Sequence, residues 1–197
     1  MNFAELRLIY ALSCIGLCLI ILLPTLFTLV SFPEAEKFSG MWLLDSNHMT
    51  PNDVYSISEN KFEKLFVGVG NYMGELEYYS VFVKFRNQFE PLPATIGLPS
   101  SLEPIFEYRL FLNNNEFLEK SFVFSFEELT FESDIVRVSM LSINGQNIPV
   151  EKILVRDAES NGFYCQLFFE LWVYNMTTSN FQFNNRSVGF WLNINEI

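Results

Sequence analysis

Basic side chains are scarce in this chain. It carries 12 lysines and arginines against 23 aspartates and glutamates, which gives a formal net charge of −11 and an isoelectric point of about 4.5. A protein that binds nucleic acid or an anionic lipid surface needs a basic footprint. The composition therefore argues against both as partners, and the acidity is typical of a protein that uses charge for solubility.

Histidine and cysteine are rarer still. His48 is the single histidine, so Ser–His and Cys–His nucleophile pairs are excluded unless His48 acts with a distant partner. Cys14 and Cys18 lie in an apolar N-terminal run, which leaves Cys165 alone in the rest of the chain. No disulfide can form within that part, so its stability must come from packing. We expect no catalytic residue, no metal and no cofactor.

Charged residues are absent from residues 8–32. At about 1.5 Å per residue, a helix of this length spans the roughly 30 Å hydrocarbon core of a bilayer. The run is too long for the apolar core of a cleaved signal peptide, and Ser31-Phe32-Pro33 lacks the small-x-small cleavage pattern. The sequence therefore predicts an uncleaved transmembrane anchor, with the lipid bilayer as the partner of residues 8–32.

The charges that flank this run predict its orientation. Arg7 precedes the run, whereas Glu34 and Glu36 outweigh Lys37 after it, and the more positive flank stays in the cytoplasm. We expect a single-pass cell-membrane protein with a cytoplasmic N-terminus and an extracellular C-terminal domain. Its expected parts are the anchor at residues 1–32, a juxtamembrane link at residues 33–44 and one domain at residues 45–197.

Short segments rich in β-branched and aromatic residues, separated by turns, fill the remainder of the chain. Residues 62–71 and 76–85 look like hairpin partners, with the turn at residues 71–74 between them. Residues 88–104 carry four prolines, which cannot donate to a β-ladder. That segment suits a Greek-key passage between two sheets.

Two later segments complete the interpretation. Asn144-Gly145 is a type I′ hairpin-turn signal, and residues 163–174 are apolar on both alternating faces, which is typical of a central strand. The sequence therefore predicts a mainly β fold: an immunoglobulin-like antiparallel β-sandwich of seven to nine strands with one N-terminal transmembrane helix.

Several of these strand segments carry a resemblance to a known family. The matching strings are VGVGNYMGELEYYSV at residues 67–81, VKFRNQ at 83–88, GFYCQLFFELW at 162–172 and VGFWLN at 188–193. Together they resemble archaeal membrane proteins known as domain of unknown function sixteen-sixteen, over most of residues 41–197. The resemblance implies an archaeal, membrane-bound, outward-facing domain and implies no activity. Some relatives carry several membrane helices ahead of the domain, whereas this chain has one.

Other patterns have plain structural interpretations. Gly68-x-Gly70-x-x-x-Gly74 has the wrong spacing for a dinucleotide loop and precedes a strand, so we interpret its members as turn glycines. His48 could bind a metal or sense pH near Asp45 and Asp53, but a solvated loop histidine is favoured.

Acidic, thiol and aromatic side chains are interpreted similarly. Cys165, within an aromatic strand, reads as buried and unreactive. Two acidic groups lack the dense oxygen spacing of a calcium loop and read as solvated turn residues: Glu127, Glu128, Glu132 and Asp134, and Asp157 with Glu159. One aromatic set could form a sugar-binding platform, although core packing is favoured: Tyr78, Tyr79, Phe168, Trp172 and Trp191.

Two N-x-Ser/Thr sequons are candidate glycosylation sites. Asn175-Met176-Thr177 and Asn185-Arg186-Ser187 both fall beside predicted turns. On an outward-facing domain both could carry glycans.

The function expected from the sequence is structural. We expect a non-enzymatic, single-pass, membrane-anchored β-sandwich that acts as a structural or interaction component of an archaeal cell envelope or membrane complex, with an envelope or membrane protein as its partner. Two alternatives stay open: a pilin-like filament subunit, and a solute- or carbohydrate-binding module.

Overall fold

The computed structural model describes residues 3–30, 36–91, 97–160 and 162–196, which fall into an N-terminal unit and a β unit that begins at Lys37. The N-terminal unit is the helix α1 (Phe3–Val30). Over Glu5–Leu26 this helix is long and apolar enough to cross a membrane, a test that a signal sequence also passes. Residues 31–33, whose lack of a cleavage pattern supported the prediction of an uncleaved anchor, lie outside the described residues.

The predicted β-sandwich is confirmed. Two five-stranded sheets form it: sheet I in the order β1-β3-β6-β7-β8, and sheet II in the order β2-β10-β9-β4-β5. Neighbouring strands are antiparallel, except that β2 runs parallel to β10. The strands are β1 (Phe38–Leu44), β2 (Val54–Ile57), β3 (Glu63–Tyr72), β4 (Glu77–Asn87), β5 (Phe106–Leu112), β6 (Glu116–Glu132), β7 (Ile135–Ile143), β8 (Gln146–Val155), β9 (Phe163–Asn175) and β10 (Asn180–Ile194).

The described residues thus form ten strands, where seven to nine were expected. The four-residue β2 is too short to leave a recognisable pattern in the sequence. The expected link at residues 33–44 is also shorter than predicted, because β1 pairs with β3 along its whole length and belongs to the sandwich. Two local predictions are confirmed: Asn144 and Gly145, both with positive φ, connect β7 to β8, and β9 lies between β10 and β4.

The predicted hairpin of residues 62–71 with 76–85 is wrong. These segments form β3 and β4, which lie in opposite sheets and each have two other neighbours. Both strands bury alternate side chains in the same core, among them Val67 and Val69 from β3 and Val81 and Val83 from β4. Two amphipathic strands can therefore face each other across a core as readily as they can pair side by side.

The predicted passage of residues 88–104 between the sheets is also wrong. The connection from β4 to β5 begins and ends in sheet II, where the two strands pair. Its described part, residues 88–91 and 97–105, contains no strand, which agrees with the loss of backbone donors at its prolines. Because this connection joins two neighbouring strands of sheet II, it is long enough to fold back over that sheet.

Aromatic rings fill the space between the sheets. Phe122 and Phe124 of β6 contact Phe169 of β9 and Phe190 of β10, with ring centroids 4.9 Å and 5.6 Å apart. All four side chains are buried. Such ring pairs stabilise a core by about 0.5–1.5 kcal/mol beyond the area they bury. Packing of aromatic rings is therefore a main source of cohesion between the two sheets.

The outer face of sheet I has an unusual glycine-lined surface. Gly68 and Gly70 lie within β3 rather than in a turn, so their interpretation as turn glycines is wrong, whereas Gly74 does occupy a turn with φ +90°. The indole of Trp42 lies over Gly68 and donates a hydrogen bond from Nε1 to Glu119 Oε1 at 3.1 Å. The missing side chains of the glycines leave room for the flat indole.

Replacement of Gly68 with alanine is expected to lower the free energy of unfolding by about 1–3 kcal/mol. A Cβ at this position would lie 2.1 Å from Trp42 Cε2, so the indole must leave its site and lose its bond to Glu119. The measurement is urea unfolding of the full chain in detergent. Gly40→Ala is the control, because its Cβ would meet Trp42 at an ordinary 3.5 Å. Equal stability of the two variants would contradict this packing.

Candidate functional site

The outer face of sheet II carries the richest set of side-chain interactions outside the core. Because Tyr79, Val81, Val83 and Phe85 of β4 point into the core, the alternate side chains point outward. The outward set on β4 is Tyr78, Ser80, Phe82, Lys84 and Arg86, and its partners on β9 are Trp172, Glu170, Phe168 and Gln166. This face divides into a buried polar half and a partly exposed aromatic half.

A buried ion pair marks the polar half. Lys84 Nζ lies 2.9 Å from Glu170 Oε2, and the two side chains are 4% and 0% exposed. The pair also binds the connection from β4 to β5, because Lys84 Nζ donates to the Ser100 carbonyl at 2.8 Å and the Ser100 N–H donates to Glu170 Oε1 at 2.6 Å. The connection is thus tied to the sheet it covers. Ion pairs withdrawn from water need such extra hydrogen bonds to offset desolvation.

Arg86 extends the polar half along β4. Its Nε donates to Gln166 Oε1 at 2.7 Å, and its guanidinium lies 4.8 Å from the ring centroid of Trp191. A further hydrogen bond joins Arg86 to the carbonyl of Glu90. Burial lowers the pKa of Arg86 from its ordinary value, against the opposing charge of Glu90. These polar groups form hydrogen bonds with one another, so we interpret this half of the face as a buried polar cluster that stabilises the fold and not as a docking surface.

Partly exposed rings occupy the other half, which we call the aromatic face. It comprises Tyr78, Phe82, Phe111, Trp172, Tyr174, Phe181 and Phe183, contributed by β4, β5, β9 and β10. Tyr78 stacks on Phe111 with centroids 4.1 Å apart and planes at 1°, and it contacts the edge of Phe181 at 5.0 Å. Trp172 contacts both Phe82 and Phe183. The rings therefore form two groups: Tyr78, Phe111, Tyr174 and Phe181 across four strands, and Phe82, Trp172 and Phe183 across three of them.

Polar groups frame these rings. Arg109 pairs with Glu107 at 2.8 Å and lies 5.9 Å from the ring of Phe181. Hydrogen bonds from Arg109 and Ser80 lower the pKa of Glu107, against the opposing effect of burial. Phe111 is 65% exposed although its ring is held against Tyr78. A rigid, exposed ring beside a fixed charge is typical of an interaction surface.

The five residues of the predicted aromatic platform do not lie together in the structure. Tyr79 points into the core, where burial raises its pKa to about 12, and Phe168 is buried against Gly189. Tyr78, Trp172 and Trp191 instead lie on the outer face of sheet II and are half-buried. Core packing thus accounts for Tyr79, whereas Tyr78 and Trp172 join the aromatic face.

His48 is not a purely solvated loop histidine. Its ring stacks on Phe66 at 4.2 Å, and its Nδ1 lies 3.2 Å from Glu119 Oε2, although half of the side chain remains exposed. Asp45 instead accepts hydrogen bonds from the backbone of Asn47 and Met49, and the Met49 bond lowers its pKa most. Among the described residues no three His, Cys, Asp or Glu side chains are grouped to hold a metal.

The two acidic groups lie in different surroundings: the first in the second half of β6 and the turn after it, and the second in the turn between β8 and β9. Asp157 accepts hydrogen bonds from the Ser160 hydroxyl and N–H, which lower its pKa, and from the Glu159 N–H. Glu127 bonds to the Ser125 hydroxyl. The remaining members, Glu128, Glu132 and Asp134, are exposed at the end of β6 and in the turn after it. Their interpretation as turn residues holds for Asp134, Asp157 and Glu159, and it is wrong for Glu127, Glu128 and Glu132, which lie within β6.

The sequons differ in their surroundings. Asn175 ends β9, where its side chain accepts from the Thr177 N–H at 2.8 Å and donates to Gln182 at 3.1 Å. Asn185 is exposed within β10, at an irregularity in its pairing with β9, and has φ +55°. Asn175 therefore lies beside a turn as expected, whereas Asn185 lies in a strand bulge. Glycosylation at either site remains a prediction.

Cys165 is expected to resist thiol reagents until the sandwich unfolds. The side chain is fully buried in β9, and burial raises the pKa of its thiol, so thiolate is scarce. In a full chain with Cys14→Ser and Cys18→Ser, maleimide labelling should be on the order of a hundredfold slower than after denaturation. Exposed Ser133→Cys, in the same background, is the control and should react at once. Fast labelling of native Cys165 would contradict its placement.

No protein-family model matches the chain, and no curated protein matches it. Among solved structures, the chain is similar to the CARDB domain of the PF1109 protein from Pyrococcus furiosus, crystallised with two metal ions, at 13% identity over 81% of this chain and 96% of that one, with a TM-score of 0.38. It is also similar to PapD-like domain 7 of human CEP192, at 5% identity over 85% and 91%, with a TM-score of 0.36.

A third similarity is to β-glucosidase from Listeria innocua, at 10% identity and a TM-score of 0.36, over 85% of this chain but 19% of the enzyme. At these values the likenesses carry no information about ligand or activity for this chain.

Proposed function

We propose that this chain is a non-enzymatic, membrane-anchored interaction protein. Helix α1 holds it in a bilayer, and the sandwich contacts a protein partner of the same envelope or membrane complex through the aromatic face. The observation that carries the proposal is the group of four mutually packed, partly exposed rings around Tyr78 and Phe111 on sheet II. Aromatic residues are enriched at the centres of protein interfaces because they bury large areas with little loss of side-chain freedom.

Sheet I also exposes rings, but those rings have a structural explanation. Trp42 covers backbone that Gly68 leaves bare, and Phe38 stacks on Tyr72 at 4.7 Å beside Gly70. No glycine lies beneath Tyr78, Phe111 or Trp172, whose strand partners all carry side chains. The rings of sheet II therefore have no bare backbone to cover, and a partner is the simpler reason for their exposure.

The membrane assignment is part of the proposal. Residues 8–32 contain no charge, and α1 has the length and composition of a membrane span. We propose a cytoplasmic N-terminus, an outward-facing sandwich, and membership of the archaeal family that the sequence resembles. Carbonate washing of membranes and the intact mass of the extracted chain test the anchor. Release into the wash, or a mass that lacks the first thirty residues or so, would contradict it.

Co-purification from native membranes in mild detergent tests the interaction. Phe111→Ser should reduce the recovery of a stoichiometric partner by about tenfold, because losing a central ring weakens binding by about 1–2 kcal/mol. Phe117→Ser is the matched control: Phe117 is 61% exposed against 65% for Phe111, but it lies on the outer face of sheet I. Equal recovery with both variants, or a wild-type chain that extracts alone, would overturn the proposed function.

A further inference from the structure

A cavity of about 380 Å³ lies beside the aromatic face, at the end of the sandwich where β3 crosses to β4 and β9 turns into β10. Tyr78 and Tyr174 form part of its wall and belong to the aromatic face as well. Met73 and Met176 add flexible apolar surface, and Glu75 and Glu77 add carboxylates. Such a size suits one side chain or a small molecule.

The charged side chains that line this cavity are both negative. Burial raises the pKa of Glu77 and the nearby charge of Glu75 adds to the shift, so the two carboxylates are close enough to repel each other. Neither forms an ion pair within 4 Å in the part of the chain that the structure describes, and none of the described lining residues is basic. Lys37 lies near the rim of the cavity: a Cβ atom added to Gly74 would be 3.7 Å from Lys37 Nζ.

The neutral polar groups of the wall are already engaged. Asn175 Nδ2 donates to Gln182 Oε1 at 3.1 Å, and Asn175 Oδ1 accepts from the turn that follows β9. A neutral ligand rich in hydroxyl groups would have to break these bonds to gain its own. A cation would instead gain from the two carboxylates, which form no ion pair in the described part of the chain, and from the negative faces of the aromatic rings.

We infer that this cavity receives a basic side chain, arginine or lysine, from the partner that docks on the aromatic face. The inference rests on the proposed function, because Tyr78 and Tyr174 serve both surfaces. Charge complementarity supports it: the cavity concentrates negative charge on a chain whose net charge is −11. Arginine is the better fit, because its planar guanidinium stacks on rings and pairs with carboxylates at the same time.

N-acetyl-arginine amide and its neutral isostere, N-acetyl-citrulline amide, are the probes that test this inference. The protein is the full chain in detergent, labelled with ¹³C at the methionine methyl groups, since Met73 and Met176 report directly on the cavity. We expect saturable shifts of these two signals with the arginine probe and at least fivefold weaker effects with citrulline. Added salt should weaken arginine binding.

Glu77→Gln should weaken arginine binding by about fivefold, and Glu75→Gln should have a smaller effect, because Glu75 is the more exposed carboxylate. Glu128→Gln, an exposed position on β6, is the matched control and should bind as the wild type does. Unfolding curves confirm that each variant is folded.

Equal binding of the two probes would overturn the inference in favour of a neutral-ligand cavity. Unchanged affinity in Glu77→Gln, or no shift at either methionine, would overturn it too. Because the probes need no partner, these failures leave the Phe111→Ser co-purification result untouched, and the proposed function stands or falls separately.

Discussion

Replacement of Lys84 with methionine is expected to lower the free energy of unfolding by about 3–5 kcal/mol. The change leaves the Glu170 carboxylate fully buried without its cation and removes the hydrogen bond to the Ser100 carbonyl. The connection that covers sheet II should loosen as well, because the N–H bond to Glu170 would be the only one of the two bonds from Ser100 to the ion pair that is left. Urea unfolding of the full chain in detergent measures the first effect, and hydrogen exchange at the Ser100 amide measures the second.

Two variants isolate the cause of this loss. Lys84→Met with Glu170→Met removes both charges and should be less destabilised than Lys84→Met alone, because no unpaired charge stays buried. Lys61→Met breaks an ion pair of similar length, 2.7 Å to Glu63, whose lysine is 55% exposed, and should change stability by less than about 1 kcal/mol. A Lys84→Met variant as stable as Lys61→Met would contradict the buried placement of the pair.

Replacement of Asn71 with alanine is expected to lower the free energy of unfolding by about 2–4 kcal/mol. Asn71 is fully buried at the end of β3, where its Nδ2 donates to the carbonyls of Glu75 and Leu112 at 2.7 and 2.8 Å. Its Oδ1 accepts from the Met73 N–H at 2.9 Å. One side chain thus fixes the crossing from β3 to β4, and its removal takes a hydrogen bond from each of three backbone groups.

The buried hydroxyl of Tyr79 links the same cluster to β1. It lies 2.8 Å from Ser39 Oγ and 3.3 Å from Asn71 Oδ1, so Asn71→Ala should also loosen the start of β1. The control is Asn113→Ala, which removes an exposed asparagine whose side chain bonds to Glu116, and which should lose less than about 1 kcal/mol. Equal losses in the two variants would mean that Asn71 does not organise the crossing.

Two local sequence patterns predict parts of the architecture correctly. The apolar run at residues 163–174 predicts a central strand, and β9 is central because it lies between β10 and β4, with Phe168 and Glu170 buried on its outer face. Asn144-Gly145 predicts a hairpin turn, and both residues adopt positive φ. The partners of β3 and β4 could not be predicted in the same way, because alternation specifies which face of a strand is buried but not which strand lies beside it.

The candidate site was only partly visible in the sequence. Lys84 and Glu170 are charges inside largely apolar strands, a signal that predicts a buried charge, but nothing in the sequence identifies each as the partner of the other. Tyr78 and Tyr79 are adjacent aromatics, and only the strand's orientation shows that one faces outward and the other inward. The aromatic face needs four strands in register before it exists as a surface.

Site-specific photo-cross-linking in native membranes tests the account most directly. A photoreactive phenylalanine derivative placed at position 111 reports on the aromatic face, and the same group at position 117 reports on the equally exposed face of sheet I. The account predicts a discrete cross-linked product from position 111 and none of comparable yield from position 117. No product from position 111, or equal products from both, would contradict the aromatic face as the contact surface.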